Sequence, residues 1–155
     1  YARTEMGRLL FGLRDRVSLN HDPRQLPGDL SELRFDQDPE GWDVLEEQGS
    51  ELARFFPGMG TTQIAHYVAG PSAYTPDGQF VLGSVPNVEG FYVASGCCGS
   101  GIGASGGVGR AIAELAMEGE TGFDLESFRT DRFGRIDAFS PEWRNRCANA
   151  RSVKG

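Results

Sequence analysis

The stretch Gly90–Met117 constrains this chain more than any other. It reads GFYVAS, then GCCGSGIGASGGVG, then RAIAELAM: an apolar strand, a glycine-rich loop and the start of a helix. Glycine lets backbone N–H groups come close to a ligand, and a helix N-terminus favours negative charge. The segment therefore suits an anionic or electron-rich group.

Three readings of this loop are open from the residues alone. Gly101, Gly103 and Gly106 spell G-x-G-x-x-G between an expected strand and an expected helix, with Asp124 downstream as a ribose-binding acid. That is the fingerprint of a dinucleotide-binding unit, and it gives a nicotinamide-binding Rossmann module. Such a unit needs a second buried parallel strand, whereas the polar GETGFDLESFRTDRFG follows here. In the second reading the glycines only let a helix pack tightly on a strand. In the third, the loop and helix cap the polar edge of a flavin ring.

The flanking sequence carries ordinary signals. MGRLLFGL, residues 6–13, reads as a strand, and residues 14–30 as an exposed loop. Asp38 and Pro39 start a helix whose apolar stripe is Trp42, Leu45, Leu52, Phe55 and Phe56, stopped by Pro57-Gly58. TTQIAHYVA, residues 61–69, alternates like a strand. Thr75-Pro-Asp-Gly78 is a turn signal. Residues 80–82 and 91–94 read as short strands joined by a Pro-Asn turn. Ser105 is placed to cap a helix with Val108, Ile112, Leu115 and Ala116 inward and Gly119 closing it. Ser140 caps a last helix over 141–150, whose Arg144, Arg146 and Arg151 read as a solvated or docking face and whose Cys147 points inward.

Composition excludes several classes. A formal charge of −7 and a pI of about 4.8 disfavour nucleic acid and anionic membrane surfaces. No apolar run approaches the ~20 residues of a membrane span. Three cysteines, two of them adjacent at Cys97 and Cys98, give no disulfide framework and point to a reducing, cytoplasmic setting. With two histidines, His21 and His66, no metal site and no Ser/His/Asp set is expected.

The order of segments adds a resemblance. GPSAYTPDGQFVLG at 70–83, GFYVASG at 90–96, SGGVGRAIAE at 105–114, and the later Asp124-Leu and Asp131-Arg-Phe133 stand in sequence. Together they resemble the C-terminal half of FAD-dependent amine oxidoreductases of the D-amino-acid oxidase superfamily, most of all the dimethylglycine and sarcosine dehydrogenase branch. Tyr1–Gly12 is similar to a strand of that family's substrate domain. The resemblance covers about residues 1–135, with little carried by 14–38.

The resemblance implies an α+β fold: part of an antiparallel substrate-domain sheet, plus the last strands and helix of an FAD-binding, Rossmann-like domain. It divides the chain into a substrate-domain part (1–70), an FAD-domain part (71–135) and a helical tail (136–155). It implies oxidation of a secondary or tertiary amine, such as an N-methyl amino acid, by hydride transfer to FAD. It places Cys97, Cys98, Gly99, Ser100, Gly101, Ile102 and Gly103 at the flavin. Tyr1, Arg3, His66, Tyr67 and Tyr74 are candidate contacts to the amine. Each has a plainer reading, Arg3 as a surface charge, His66 as half-buried, and the tyrosines as packed rings with a wet hydroxyl. No catalytic residue is singled out.

Departures from the family pattern matter as well. Ser72 stands where amino-acid-oxidizing relatives carry a carboxylate-gripping arginine. Gly70 stands at a flavin-linking cysteine, so FAD is expected to be non-covalent through this half. Gly103 stands at an oxygen-activating lysine. These gaps also permit a non-catalytic subunit or assembly factor on the same scaffold. Residues 1–40 show no ADP-binding fingerprint, and residue 1 is a tyrosine. The chain is therefore expected to need an N-terminal half or partner subunit, and to self-associate when its apolar faces lack cover.

Overall fold

The computed structural model describes residues 1–12, 18, 20–33, 41–68 and 70–153. The chain forms two compact units, one from residues 1–17 and 27–70, the other from 18–26 and 71–155.

The first unit opens with a hairpin of β1 (Ala2–Glu5) and β2 (Arg8–Phe11), antiparallel with Ala2 opposite Phe11 and Glu5 opposite Arg8. Met6 (φ 48°) and Gly7 (φ 74°) turn the chain, both in the left-handed region that a two-residue hairpin loop of matching twist requires. Of the strand expected over residues 6–13, Met6 and Gly7 instead form the turn, Arg8–Phe11 form the strand, and residue 13 lies outside the described residues. The α1 helix spans Gly41–Ala53; its expected start at Asp38-Pro39 lies outside the described residues. It stops before Phe55 because the residue preceding a proline is driven out of helical geometry. Phe56 accordingly has φ −129° and ψ 82°, and Pro57–Gly60 makes a single 3-10 turn.

The aromatic stripe expected on α1 differs from the buried one. Val44 is the residue at 7% exposure, while Trp42, Phe55 and Phe56 are exposed. Residues 61–68 form no strand, and all of them are exposed; residue 69 of the expected strand lies outside the described residues. A β-strand exists by its ladder, and no described strand pairs with this segment.

The second unit carries β3 (Val81–Ser84) and β4 (Tyr92–Ser95), antiparallel with Leu82 opposite Ala94 and Gly83 opposite Val93. Two turns in series join them. Val88 N–H bonds Val85 O around Pro86-Asn87, with Asn87 at φ 65°, and Phe91 N–H bonds Val88 O with Gly90 at φ 72°. The α2 helix (Gly101–Glu118) packs on both strands. Its inner face carries Ala104, Val108, Ala111 (2% exposed), Ile112 and Leu115, while Ala116 faces out. The apolar faces of β3 and α2 thus cover one another in part. The large side chains left open are on the other side, with Ile102 95% and Met117 84% exposed. Gly119 closes α2 in the left-handed region, its N–H on Leu115 O.

Beyond α2 the chain is tied back by polar contacts. Glu114 accepts from Arg110 Nε (2.6 Å), Thr121 Oγ1 (2.7 Å) and Gly122 N–H (3.3 Å). Bonds from Thr121 and Arg110 hold its carboxyl down to about 2. Thr130 Oγ1 donates to Ser84 O (2.8 Å) at the end of β3. The α3 helix (Pro141–Val153) is capped by Ser140, whose Oγ accepts from Trp143 N–H (3.2 Å). Its arginines are not all solvated, as the sequence suggests. Arg144 pairs with Asp22 (3.3 Å) and Arg151 bonds Ser18 Oγ (3.0 Å), so Ser18 and Asp22 lie against α3. The expected exposed loop therefore contains a buried carboxylate, Asp22, held well below its ordinary range by Arg24 first and by Arg144. Residues 14–17 and 19 of that loop lie outside the described residues.

Asp77 and Arg132 join residues 55 positions apart, at 2.8 Å (Nε to Oδ2) and 3.1 Å. Burial raises the Asp77 pKa, but bonds from Arg132, Gln79 N–H and Thr75 outweigh it and hold the carboxyl at about 2. The folded-state pKa is depressed, so this stabilisation is present above the unfolded value of 3.8 and is lost as pH falls towards 2. Asp77→Asn should cost about 1–3 kcal/mol at neutral pH, since it leaves the largely buried Arg132 without a counter-ion. It should also flatten the loss of stability between pH 4 and pH 2, as read by urea titrations across that range.

Glycines divide into two kinds. A Cβ at Gly96 (φ 63°) would stand 2.8 Å from the Thr75 methyl, whereas one at Gly107, inside α2, meets nothing within 4 Å. Gly96→Ala should destabilise by roughly 2–4 kcal/mol, from left-handed strain plus overpacking. Gly107→Ala should stabilise by about 0.5–1 kcal/mol. Thermal unfolding of the two variants checks the opposite signs.

Candidate functional site around the glycine loop

The site begins at the Thr75–Gly78 turn. Gly78 N–H closes it on Thr75 O (3.0 Å). Thr75, 7% exposed, donates through Oγ1 towards Gln79 O (2.7 Å) and Asp77 Oδ1 (2.9 Å). Arg132 reaches the same turn through Asp77 and Gln79 O (3.2 Å). The turn is therefore saturated with hydrogen bonds and forms a fixed platform.

The glycine loop is docked on that platform. Cys98 N–H donates to Ala73 O (3.0 Å), and Cys98 Sγ lies 3.5 Å from Thr75 Oγ1. Gly96, Cys98 and Gly99 take φ of 63°, 49° and 78°, which reverses the chain between β4 and α2. A left-handed cysteine is strained by an amount of order 1–3 kcal/mol and persists only where its surroundings dictate it. Here the bond to Ala73 and burial to 3% exposure do so.

After the reversal the chain enters α2 with no side-chain cap. Ser100 is the N-cap residue and makes no capping bond through its hydroxyl, and the first turn holds no acidic residue. Ala104 N–H is bonded to Ser100 O (3.1 Å). The N–H groups of Gly101, Ile102 and Gly103 precede it and belong to the set a helix leaves without internal carbonyl partners. Ser100, Ile102 and Gly103 are exposed, and a Cβ at Gly103 would meet nothing within 4 Å. The helix end is an open set of N–H donors with partial positive charge. Ser105, expected as the cap, lies inside the helix and donates to Ile102 O (2.8 Å).

The expected cofactor residues thus separate by role. Gly101, Ile102 and Gly103 offer backbone N–H groups at the open helix end, while the Ser100 N–H is bonded to Cys97 O (2.8 Å). The buried Cys98 thiol faces Thr75 and Gln79 O and is taken up by the platform. Cys97 is half-buried, with its Sγ 3.3 Å from where a Gly101 Cβ would stand. Cys147 on α3 is half-buried, and burial pushes its thiol pKa up. Gly101, Gly103 and Gly106 all lie inside α2 rather than in the preceding turn, and no described strand follows α2. That arrangement gives no support to the dinucleotide fingerprint.

Of the expected substrate contacts, only Tyr74 lies in the second unit, where its hydroxyl sits 3.1 Å from a Cβ position on Gly99. The other four are in the first unit. Tyr1 is exposed, and its carbonyl accepts Gly12 N–H (2.9 Å). Arg3 is exposed and paired with Glu5 at 3.0 Å. His66 is exposed, and Tyr67 stacks edge-on against Trp42 with ring centroids 5.0 Å apart. Sequence reasoning missed the clamp of Asp77 by Arg132. Asp77 read as a turn-former, and no local pattern links it to an arginine 55 residues on.

Among the described residues no helix is long and apolar enough to cross a membrane. Residues 1–115 match the family described as FAD dependent oxidoreductase. The chain is 31% identical over 144 residues to human mitochondrial dimethylglycine dehydrogenase, covering 87% of this chain and 16% of that protein. It is 26% identical over 133 residues to a 4-methylaminobutanoate oxidase (formaldehyde-forming) of Paenarthrobacter nicotinovorans, covering 86% and 16%. It is 31% identical over 99 residues to the mouse mitochondrial pyruvate dehydrogenase phosphatase regulatory subunit, covering 64% and 11%. The chain therefore spans between a tenth and a sixth of the length of these relatives. No solved structure matches it. With the family match running from β1 through the glycine loop and most of α2, the chain belongs to the FAD-dependent oxidoreductases of the D-amino-acid oxidase superfamily.

Proposed function

We propose that this chain is part of an FAD-dependent enzyme that oxidises a secondary or tertiary amine of the N-methyl amino acid type. The observation that carries the reading is the uncapped, acid-free N-terminus of α2, displayed by the docked glycine loop within a family that is FAD-dependent. The names of the relatives, dimethylglycine dehydrogenase and 4-methylaminobutanoate oxidase among them, supply the substrate class.

The residues fit the cofactor's electron-rich edge. Three N–H groups and a helix dipole aim at one exposed spot, and the glycines there leave room for a ring to approach. FAD, when bound, accepts the hydride from the carbon next to the amine nitrogen. The chain's own task is electrostatic: fixed donors stand where negative charge grows and need not reorganise during the reaction. A helix terminus contributes about 0.3–1 kcal/mol when exposed and up to about 2 when partly buried. His66, Tyr67 and Arg3 are proposed as amine-side contacts. Ser72, exposed in place of an arginine, leaves the substrate carboxylate to be gripped elsewhere.

A second reading has its own support. The chain is 31% identical over 99 residues to a regulatory subunit, and the family resemblance implies that Ser72 and Gly103 stand where some oxidising members carry an arginine and a lysine. In that reading the scaffold holds flavin, or only its shape, without turnover.

The absorption spectrum of the full-length protein separates the two. Flavin bands near 370 and 450 nm that bleach on addition of sarcosine or dimethylglycine are expected. Bands that persist with every N-methyl amine indicate the regulatory reading, and a folded protein without bands defeats both flavin-binding readings. A substitution isolates the helix end. Gly103→Asp puts a carboxylate in open space in the first turn of α2, where it should leave the fold as stable or slightly more so. It should nonetheless weaken flavin binding about ten-fold by repelling the same edge, measured as the dissociation constant of flavin from the full-length protein.

A further inference from the structure

Tyr74 is fixed on both sides. Its neighbour Ala73 holds Cys98 N–H through its carbonyl (3.0 Å). Its other neighbour, Thr75, is buried and packs against Gly96 and the Cys98 thiol. This places the phenol oxygen 3.1 Å from where a Gly99 Cβ would stand, one residue before the α2 N-cap. The ring is half-buried, and among the described residues no group hydrogen-bonds its hydroxyl. Gly99 is thus glycine for two reasons: its φ of 78°, and the phenol that a side chain would crowd.

Resting on the flavin reading above, we propose that Tyr74 is a hydrogen-bond donor to the flavin ring rather than a contact to the amine. Its O–H joins the N–H groups of Gly101–Gly103 as a fourth donor to the ring's electron-rich edge. The local charge decides between the two ligands. A phenol beside a positive helix terminus serves an acceptor that gains negative charge, and that surrounding is unfavourable to a protonated amine. The donor strengthens its bond as the ring is reduced, so it favours the reduced state over the oxidised one.

The test uses the full-length, flavin-loaded protein. Tyr74→Phe removes one oxygen that the described protein does not use, so its unfolding transition should match the parent. The two-electron midpoint potential should fall by about 30 mV, the equivalent of a ten-fold loss in preference for the reduced ring. The KM for sarcosine or dimethylglycine should stay within about two-fold, while the rate of flavin bleaching drops. Incorporation of 3-fluorotyrosine at position 74, a stronger donor of nearly the same size, should move the midpoint the other way when measured at pH 6, where the phenol keeps its proton. An unchanged midpoint in both proteins overturns the proposal. So does a raised KM at constant potential, which would make Tyr74 an amine contact. A parent protein without flavin removes the underlying reading instead, and its spectrum shows this before any variant is made.

Discussion

The paired hydrogen bonds between Arg132 and Asp77 carry the second unit. Arg132 holds the Thr75–Gly78 turn from a segment 55 residues away, donates to Gln79 O, and stacks over the Phe133 ring at 4.3 Å. Its side chain is 12% exposed against 38% for the carboxylate, so the charge pair sits at the edge of the core rather than on the open surface. Surface pairs contribute little, but a largely buried arginine deprived of its partner costs about 1–3 kcal/mol. The turn it fixes is the platform on which the glycine loop is laid.

The loop's geometry follows from that platform. Cys98 adopts a left-handed conformation because Ala73 O and the Thr75 hydroxyl receive it, and Gly96 is glycine because the Thr75 methyl leaves no room for a side chain. The reversal then delivers the chain into α2 with its first N–H groups uncovered. The chemistry proposed for the site is a consequence of leaving those groups bare. A side-chain cap would stabilise α2 by about 1 kcal/mol, and its absence leaves the donors for an external acceptor.

Much of this was legible in the sequence where the physics is local. The Thr-Pro-Asp-Gly turn, the Pro-Asn turn, the Gly119 stop and the Ser140 cap each depend on residues within four positions, and each forms as read. The failures are tertiary. Residues 61–68 alternate like a strand, but pattern alone supplies no ladder partner. Ser105 had the right chemistry for a cap, yet the cap position is Ser100, five residues earlier, because the loop reversal is complete there. Asp22 and Asp77 looked like ordinary loop acids; Arg24 meets Asp22 from two residues away, but Arg144 and Arg132, which pair with Asp22 and Asp77, come from distant segments. At the candidate site, the glycine loop was legible from composition, but the unpaired hydroxyl of Tyr74 beside Gly99 was not.

In the proposed function, the backbone donors at the start of α2 face the flavin. Hydrogen–deuterium exchange on the full-length protein, flavin-loaded and flavin-stripped, reads those donors directly. Loading should slow exchange at Gly101, Ile102 and Gly103 while Gly106, Gly107 and Gly109, further along the same helix, change little. Protection that appears elsewhere in the protein while these three N–H groups exchange at the same rate in both states would contradict it.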